Sequence, residues 1–109
     1  MGILLLNMMI VFILNGINMI SADEARKIYY GSLVYTDTVN YIDNKIRQAL
    51  LYRENIVIIC NIKKESRDKN IINLYHTIEN VVEYLKCYGY DAQYKTYTTN
   101  DGYELIIKW

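Results

Sequence analysis

The sequence predicts a small α+β domain: a long or broken N-terminal helix, then strand, helix, strand and strand, with helices packed on one or both faces of a three-stranded mixed sheet. Three observations predict it. Ile56–Cys60 is an unbroken apolar, β-branched run, bounded by Arg53-Glu54-Asn55 and Lys63-Lys64, which reads as a central strand covered on both faces. Ile71, Leu74, Tyr75, Ile78, Val81, Val82 and Leu85 form a stripe at helical spacing that ends at Gly89. Ala92–Thr98 alternates as a strand, Thr99-Asn-Asp-Gly102 supplies hairpin-turn chemistry, and Tyr103–Trp109 returns with Tyr103, Leu105, Ile107 and Trp109 on one face.

Residues 1–20 stand apart from this pattern. No Lys, Arg, Asp or Glu occurs before Asp23, and Ile3–Leu6 and Met8–Leu14 make the stretch strongly apolar. It fits the apolar core of a signal peptide, although Ile20-Ser21-Ala22 places a bulky residue at the cleavage site and the start lacks a basic residue. It is long enough for a membrane anchor, but Asn7, Asn15, Gly16 and Asn18 weaken a span. It also fits an upstream extension before a true start at Met19, because Ser21-Ala-Asp-Glu24 is a capping box that opens its own helix. A fourth reading makes it a core helix. The organisation expected is therefore a leader, anchor or extension over 1–20 and one domain over 21–109. A start at Met19 places the protein in the host cytoplasm, whereas a real leader places it in or across a membrane.

From Ser21 onward, Ala25, Ile28, Ser32, Tyr35, Val39, Ile42, Ile46 and Ala49 recur every three or four residues, the period of a helix seam. One helix through the whole segment would run about 45 Å, longer than a three-stranded sheet covers. Either it breaks near Gly31 or at Thr36-Asp37-Thr38, with Asp37 capping a second helix, or its first half pairs with another chain. Ile28, Tyr35, Val39 and Ile42 are accordingly the candidate self-association residues, set against a reading in which both helices pack only on their own sheet.

Further on, the sheet order follows from connection rules. A strand, crossover helix and second strand should turn right-handed, and the last hairpin adds an antiparallel strand. Asn70 stands where the crossover helix would be capped, and Gly89 where it would end in a left-handed residue, with Tyr90 closing on Leu85.

Composition narrows the chemistry. The 109 residues carry a formal net charge of zero, without the basic excess that sequence-independent nucleic-acid binding requires. Twelve tyrosines and no proline fit AT-rich coding, with a tyrosine-built binding surface as the functional alternative. Cys60 and Cys87 form no CxxC pair, so zinc and thioredoxin-type motifs are not expected, and both read as buried free thiols. Lys63–Lys69 precedes a helix N-terminus, where anions bind through free amides, which makes Lys63, Lys64, Arg67, Lys69 and Asn70 candidates for a phosphorylated small molecule. That loop lacks the glycines with which a phosphate loop wraps its ligand. His76 is the single histidine and sits off the apolar stripe, and Glu79 and Glu83, at i and i+4, face water more readily than a cation. No catalytic constellation, metal cluster or cofactor motif is expected.

Met19-Ile-Ser-Ala-Asp-Glu-Ala-Arg26, Ile42-Asp-Asn-Lys-Ile-Arg-Gln-Ala49, Val82-Glu-Tyr-Leu-Lys-Cys-Tyr-Gly-Tyr90 and the closing Ile107-Lys-Trp109 together resemble short uncharacterised proteins of bacteriophages and large DNA viruses. Those share an "(S/T)AxEAR" head, an "IxxxIxxA" helix, an "LxxxGY" helix end and a terminal tryptophan strand. The resemblance spans Met19–Trp109 and implies no activity or site residue. The function expected is that of a non-enzymatic viral or phage accessory protein, binding as a homo-oligomer or to a host protein. The alternatives are a membrane-tethered or exported protein using residues 1–20, and the phosphate-site binder.

Overall fold

The computed structural model describes residues 19–97 and 101–109. The leader readings, up to residue 18, and Thr99 and Asn100 of the Thr99–Gly102 turn lie outside the described residues. Within them the chain is α+β, with helices α1 (Ala22–Gly31), α2 (Thr36–Leu51) and α3 (Lys69–Cys87) and strands β1 (Ile56–Ile62), β2 (Asp91–Thr96) and β3 (Tyr103–Lys108).

Ser21 starts α1 as the sequence indicates: its side chain accepts a hydrogen bond from the Glu24 N–H at 3.1 Å, and Asp23 and Glu24 place negative charge on the positive end of the helix dipole. The long seam is broken. α1 ends at Gly31, and α2 starts after Tyr35, whose side chain makes no capping bond. Asp37 therefore does not cap α2 but lies in its first turn, where its charge favours the dipole. A Cβ at Gly31 would stand 3.1 Å from Tyr84 Cε1 on α3, so a larger residue there would require the ring to yield by a few tenths of an ångström.

Both later helices close with the same pair of carbonyl-satisfying bonds. At the end of α3, Gly89 has φ +90°, its N–H donates to Lys86 O, and the Tyr90 N–H donates to Leu85 O. At the end of α2 the left-handed position is taken by Arg53, φ 58°, with bonds from Arg53 to Leu50 O and from Glu54 to Ala49 O. An L-residue there is strained by about 1 kcal/mol relative to glycine. α3 opens on Asp68 rather than Asn70: the Asp68 carboxylate accepts from the Asn70 N–H at 2.9 Å, and helical geometry begins at Lys69. At Thr77 the helix kinks, with φ −125° and the hydroxyl donating to Asn73 O at 2.7 Å.

The sheet corrects two expectations. Its order is β1-β3-β2, and both ladders are antiparallel, so it is not mixed. β1 and β2 run parallel to each other across α3, but β3 folds back into the gap between them and becomes the central strand. Among the described residues β1 is consequently an edge strand with helices on one face only. Val57, Ile59 and Ile62 are buried in the main core with Ala92, Leu105 and Ile107, while Ile58 is 51% exposed. A bulge between Ile59 and Ile62 accommodates one extra residue, and Asn61 takes a left-handed φ of 57° there, which returns Ile62 to the covered face.

Against that face lie Ile42, Ile46 and Ala49 of α2 and Leu74, Ile78, Val81, Val82 and Leu85 of α3. Burying one such aliphatic side chain stabilises by about 1.5–3 kcal/mol, and these positions supply the interior that the helical stripe predicts. Thr38 is wholly buried in α2, and its hydroxyl has no hydrogen-bond partner among the described residues.

Candidate functional site

The loop before α3 offers less to an anion than its charge implies. Lys64, Arg67 and Lys69 are exposed and Lys63 and Asn70 half-buried, but the Asp68 carboxylate already sits on the first turn of the helix. Ser66 Oγ accepts the Asp68 N–H at 3.1 Å, so the amides nearest the loop are served by the chain itself. A phosphate approaching this end would meet a fixed negative charge. Asp68 also acts on Tyr41 of α2, whose hydroxyl pKa is raised first by burial and then by that carboxylate.

The candidate self-association residues do not share a surface stripe. Ile42 is a core residue, 4% exposed, because α2 turns it onto the sheet, so it is removed from that set. Ile28 and Val39 are half-buried on different helices, and Tyr35 stands exposed in the connection between them. What the broken helix builds instead is a cleft between α2 and α3 of about 250 Å³, lined by Val39, Ile46, Tyr84, Tyr88 and Tyr90. The Lys27 ammonium lies 4.9 Å from the Tyr88 ring centre, tying α1 to the rim. Tyr84 and Tyr88 share a hydroxyl–hydroxyl hydrogen bond of 3.3 Å. Burial, and then this bond, push the Tyr84 pKa up to about 12. A hydroxyl so reluctant to ionise is a poor acid–base catalyst near neutrality, and the cleft is smaller than the 300–1,000 Å³ usual for small-molecule sites.

A second hollow, of about 460 Å³, lies along β2 between Tyr30, Glu79, Glu83, Lys86, Gln93 and Tyr94. Its carboxylates are engaged: Tyr94 donates to Glu79 at 3.3 Å, and Lys86 pairs with Glu83 at 3.4 Å. Burial, followed by Glu79, raises the Tyr94 pKa. Among the described residues no cluster of three His, Cys, Asp or Glu side chains is arranged for a metal. His76 is exposed and packs edge-on to Tyr75 at 5.3 Å.

The cysteines are free, as expected, but not buried: Cys60 is exposed on the uncovered side of β1 and Cys87 is half-buried. The reason is the edge position of β1. Cys60 Sγ donates to Glu104 Oε1 at 3.5 Å, and the partial burial of its sulfur, then Glu104, raise the thiol pKa. A thiol held protonated beside a carboxylate is the reverse of an activated nucleophile.

The feature that sequence reasoning missed is the outer edge of β1, which pairs with no other strand among the described residues. The Trp109 N–H donates to Asn55 O, and the Tyr97 N–H donates to Gly102 O, which fixes the hydrogen-bonding phase of both ladders. With Ile56 opposite Lys108 and Asp91 opposite Lys108, odd-numbered residues of β3 bond β1 and even-numbered ones bond β2. On β1, therefore, Val57 and Ile59 face β3, whereas Ile56, Ile58 and Cys60 aim their backbone N–H and C=O groups outward. The apolar run that suggested a central strand hid this, because β1 contains no charge to mark it as an edge.

No protein-family model, curated protein or solved structure matches the chain.

Proposed function

We propose that this chain is a non-enzymatic viral or phage accessory protein that acts by binding and works as a homo-oligomer. The observation that carries the reading is the amount of large apolar side chain left in water: Leu51 is 82% exposed, Tyr52 77%, Leu50 53% and Ile58 51%. Exposed apolar surface of this kind is characteristic of contact sites, and the raised Tyr84, Tyr94 and Cys60 groups lack the chemistry of proton transfer or nucleophilic attack at neutral pH. The viral or phage setting rests on the motif resemblance over Met19–Trp109. Sedimentation velocity of the full chain over a hundredfold concentration range tests the oligomer. A concentration-dependent rise in sedimentation coefficient is expected, and one unchanging species of single-chain mass removes it.

A second reading is favoured by the uncharged apolar stretch before Asp23: a tethered or exported protein whose anchor or signal lies there. Expression with a C-terminal tag followed by membrane fractionation separates the two. Recovery in the membrane pellet, resistant to high salt, supports the tether, and a product starting at Met19 excludes it.

A further inference from the structure

We infer that the partner of the β1 edge is β1 of a second copy of this chain, paired antiparallel about a two-fold axis at Ile58. This rests on the homo-oligomer reading above and names its surface. A strand edge with unpaired donors and acceptors is complementary to another extended strand, and the phase of the ladder decides which residues meet. The outward groups belong to Ile56, Ile58 and Cys60. An axis through Ile58 sets Ile58 against Ile58 of the other copy and Ile56 against Cys60 of the other copy on both sides of it. That register uses every outward group up to the bulge, in three hydrogen-bonded residue pairs and about six bonds. A shift of the axis by one residue leaves part of them unused.

Two observations favour a second copy over another strand-bearing partner, and a third leaves the edge open to it. β1 contains no charged residue from Ile56 to Ile62, so like meets like without repulsion. The same residues that point their backbone outward point their side chains onto the face away from the helices, where Ile58 is 51% exposed beside its ladder partner Ile106, itself only 7% exposed. The two-fold axis brings the two Ile58 side chains together, so pairing also buries apolar surface that one chain leaves in water. Finally, the edge is accessible: Ile58, Cys60 and Asn61 are all exposed. Asn61 ends the pairing where its left-handed backbone turns the strand aside.

The test is a thiol scan on the full chain with Cys60→Ser and Cys87→Ser. In a hydrogen-bonded antiparallel pair the two Cα atoms at the axis lie about 5.5 Å apart, within the reach of a disulfide. Ile58→Cys in this background is expected to give a covalent dimer under mild oxidant, and Gln93→Cys on the opposite edge is expected to stay a single chain. With Cys60 retained, Ile56→Cys should link to Cys60 of the other copy, which fixes the register. Ile58→Lys in the unmodified chain should sediment as one chain with an unchanged circular dichroism spectrum. If Ile58→Lys keeps the oligomer and Ile58→Cys gives no link, the β1 interface is overturned while the oligomer reading stands. A wild-type chain that is monomeric at every concentration overturns both. Self-linking at Gln93→Cys as efficient as at Ile58→Cys reports random collision and also overturns the interface.

Discussion

β1 and β2 both lie at an edge of one sheet and both pair with β3, yet their surroundings differ. The outward backbone groups of β2 belong to Ala92, Tyr94 and Thr96, whose side chains are on the covered face, and Tyr30, Glu79, Glu83 and Lys86 from α1 and α3 stand along that margin. Asp91, Gln93 and Lys95 place polar and charged groups on its other side. Among the described residues β1 has no such border: its outward residues are Ile56, Ile58 and Cys60. Natural sheets protect edges with charge, bulges or overlying helices, and among the described residues one margin has charge and helices while the other has only the bulge at Asn61. The contrast teaches that the hydrophobicity of a strand does not say whether it lies at the centre of its sheet or at the edge.

The comparison can be broken most severely at its shared centre. Leu105 of β3 is wholly buried and pairs with Ile59 on one side and Tyr94 on the other. Leu105→Ala should cost about 2–5 kcal/mol, a large part of the stability of a domain this size, and urea denaturation should show both margins lost in one transition. A smaller effect of opposite sign is expected on the β1 side. Thr38→Val removes a buried hydroxyl without a partner while keeping its shape, and should raise stability by about 1 kcal/mol in the same assay. Arg53→Gly, in the turn that leads into β1, relieves a left-handed residue and should add up to about 1 kcal/mol, less the greater freedom glycine has when unfolded.

The smallest effect is expected at high pH and on the α3 side of the molecule. Tyr84 holds its proton in the folded chain up to about 12, against 10.0 for an ordinary tyrosine. Folded protein then binds a proton that unfolded protein has released, so this contribution is complete below about pH 10 and is lost as the pH rises towards 12. Tyr94, raised in the same direction, acts with it. Thermal melts between pH 9 and 11.5 should show a falling midpoint whose slope is reduced in Tyr84→Phe.

Much of this architecture is legible in the residues. The stripe from Ile71 to Leu85, the left-handed Gly89 with the Tyr90 bond, the Ser21 cap and the shared face of Leu105 and Ile107 follow from periodicity and turn chemistry, which are local. The order of strands is not local. Ile56–Cys60 looks identical whether β3 lies beside β2 alone or slides between β2 and β1, and only the packing of α2 and α3 on a single face chooses. Asp68 displaces Asn70 as the cap for a similar reason, since both are good capping residues two apart and the choice depends on where the loop lifts away. The seam from Ile28 to Ala49 marks Ile42, Ile46 and Ala49, which reach the core, but also Ser32 and Tyr35, which are exposed at the break where the chain turns from α1 into α2. The cleft between α2 and α3 arises from that turn and has no sequence signature beyond the abundance of tyrosine.

Asn61 has a consequence for the fate of the molecule at high concentration. Flat, uncharged, β-branched segments of six or seven residues are the ones that stack into fibrils. By bending the backbone after Cys60, Asn61 leaves only Ile56–Cys60 straight, a run shorter than the segments that such stacking uses.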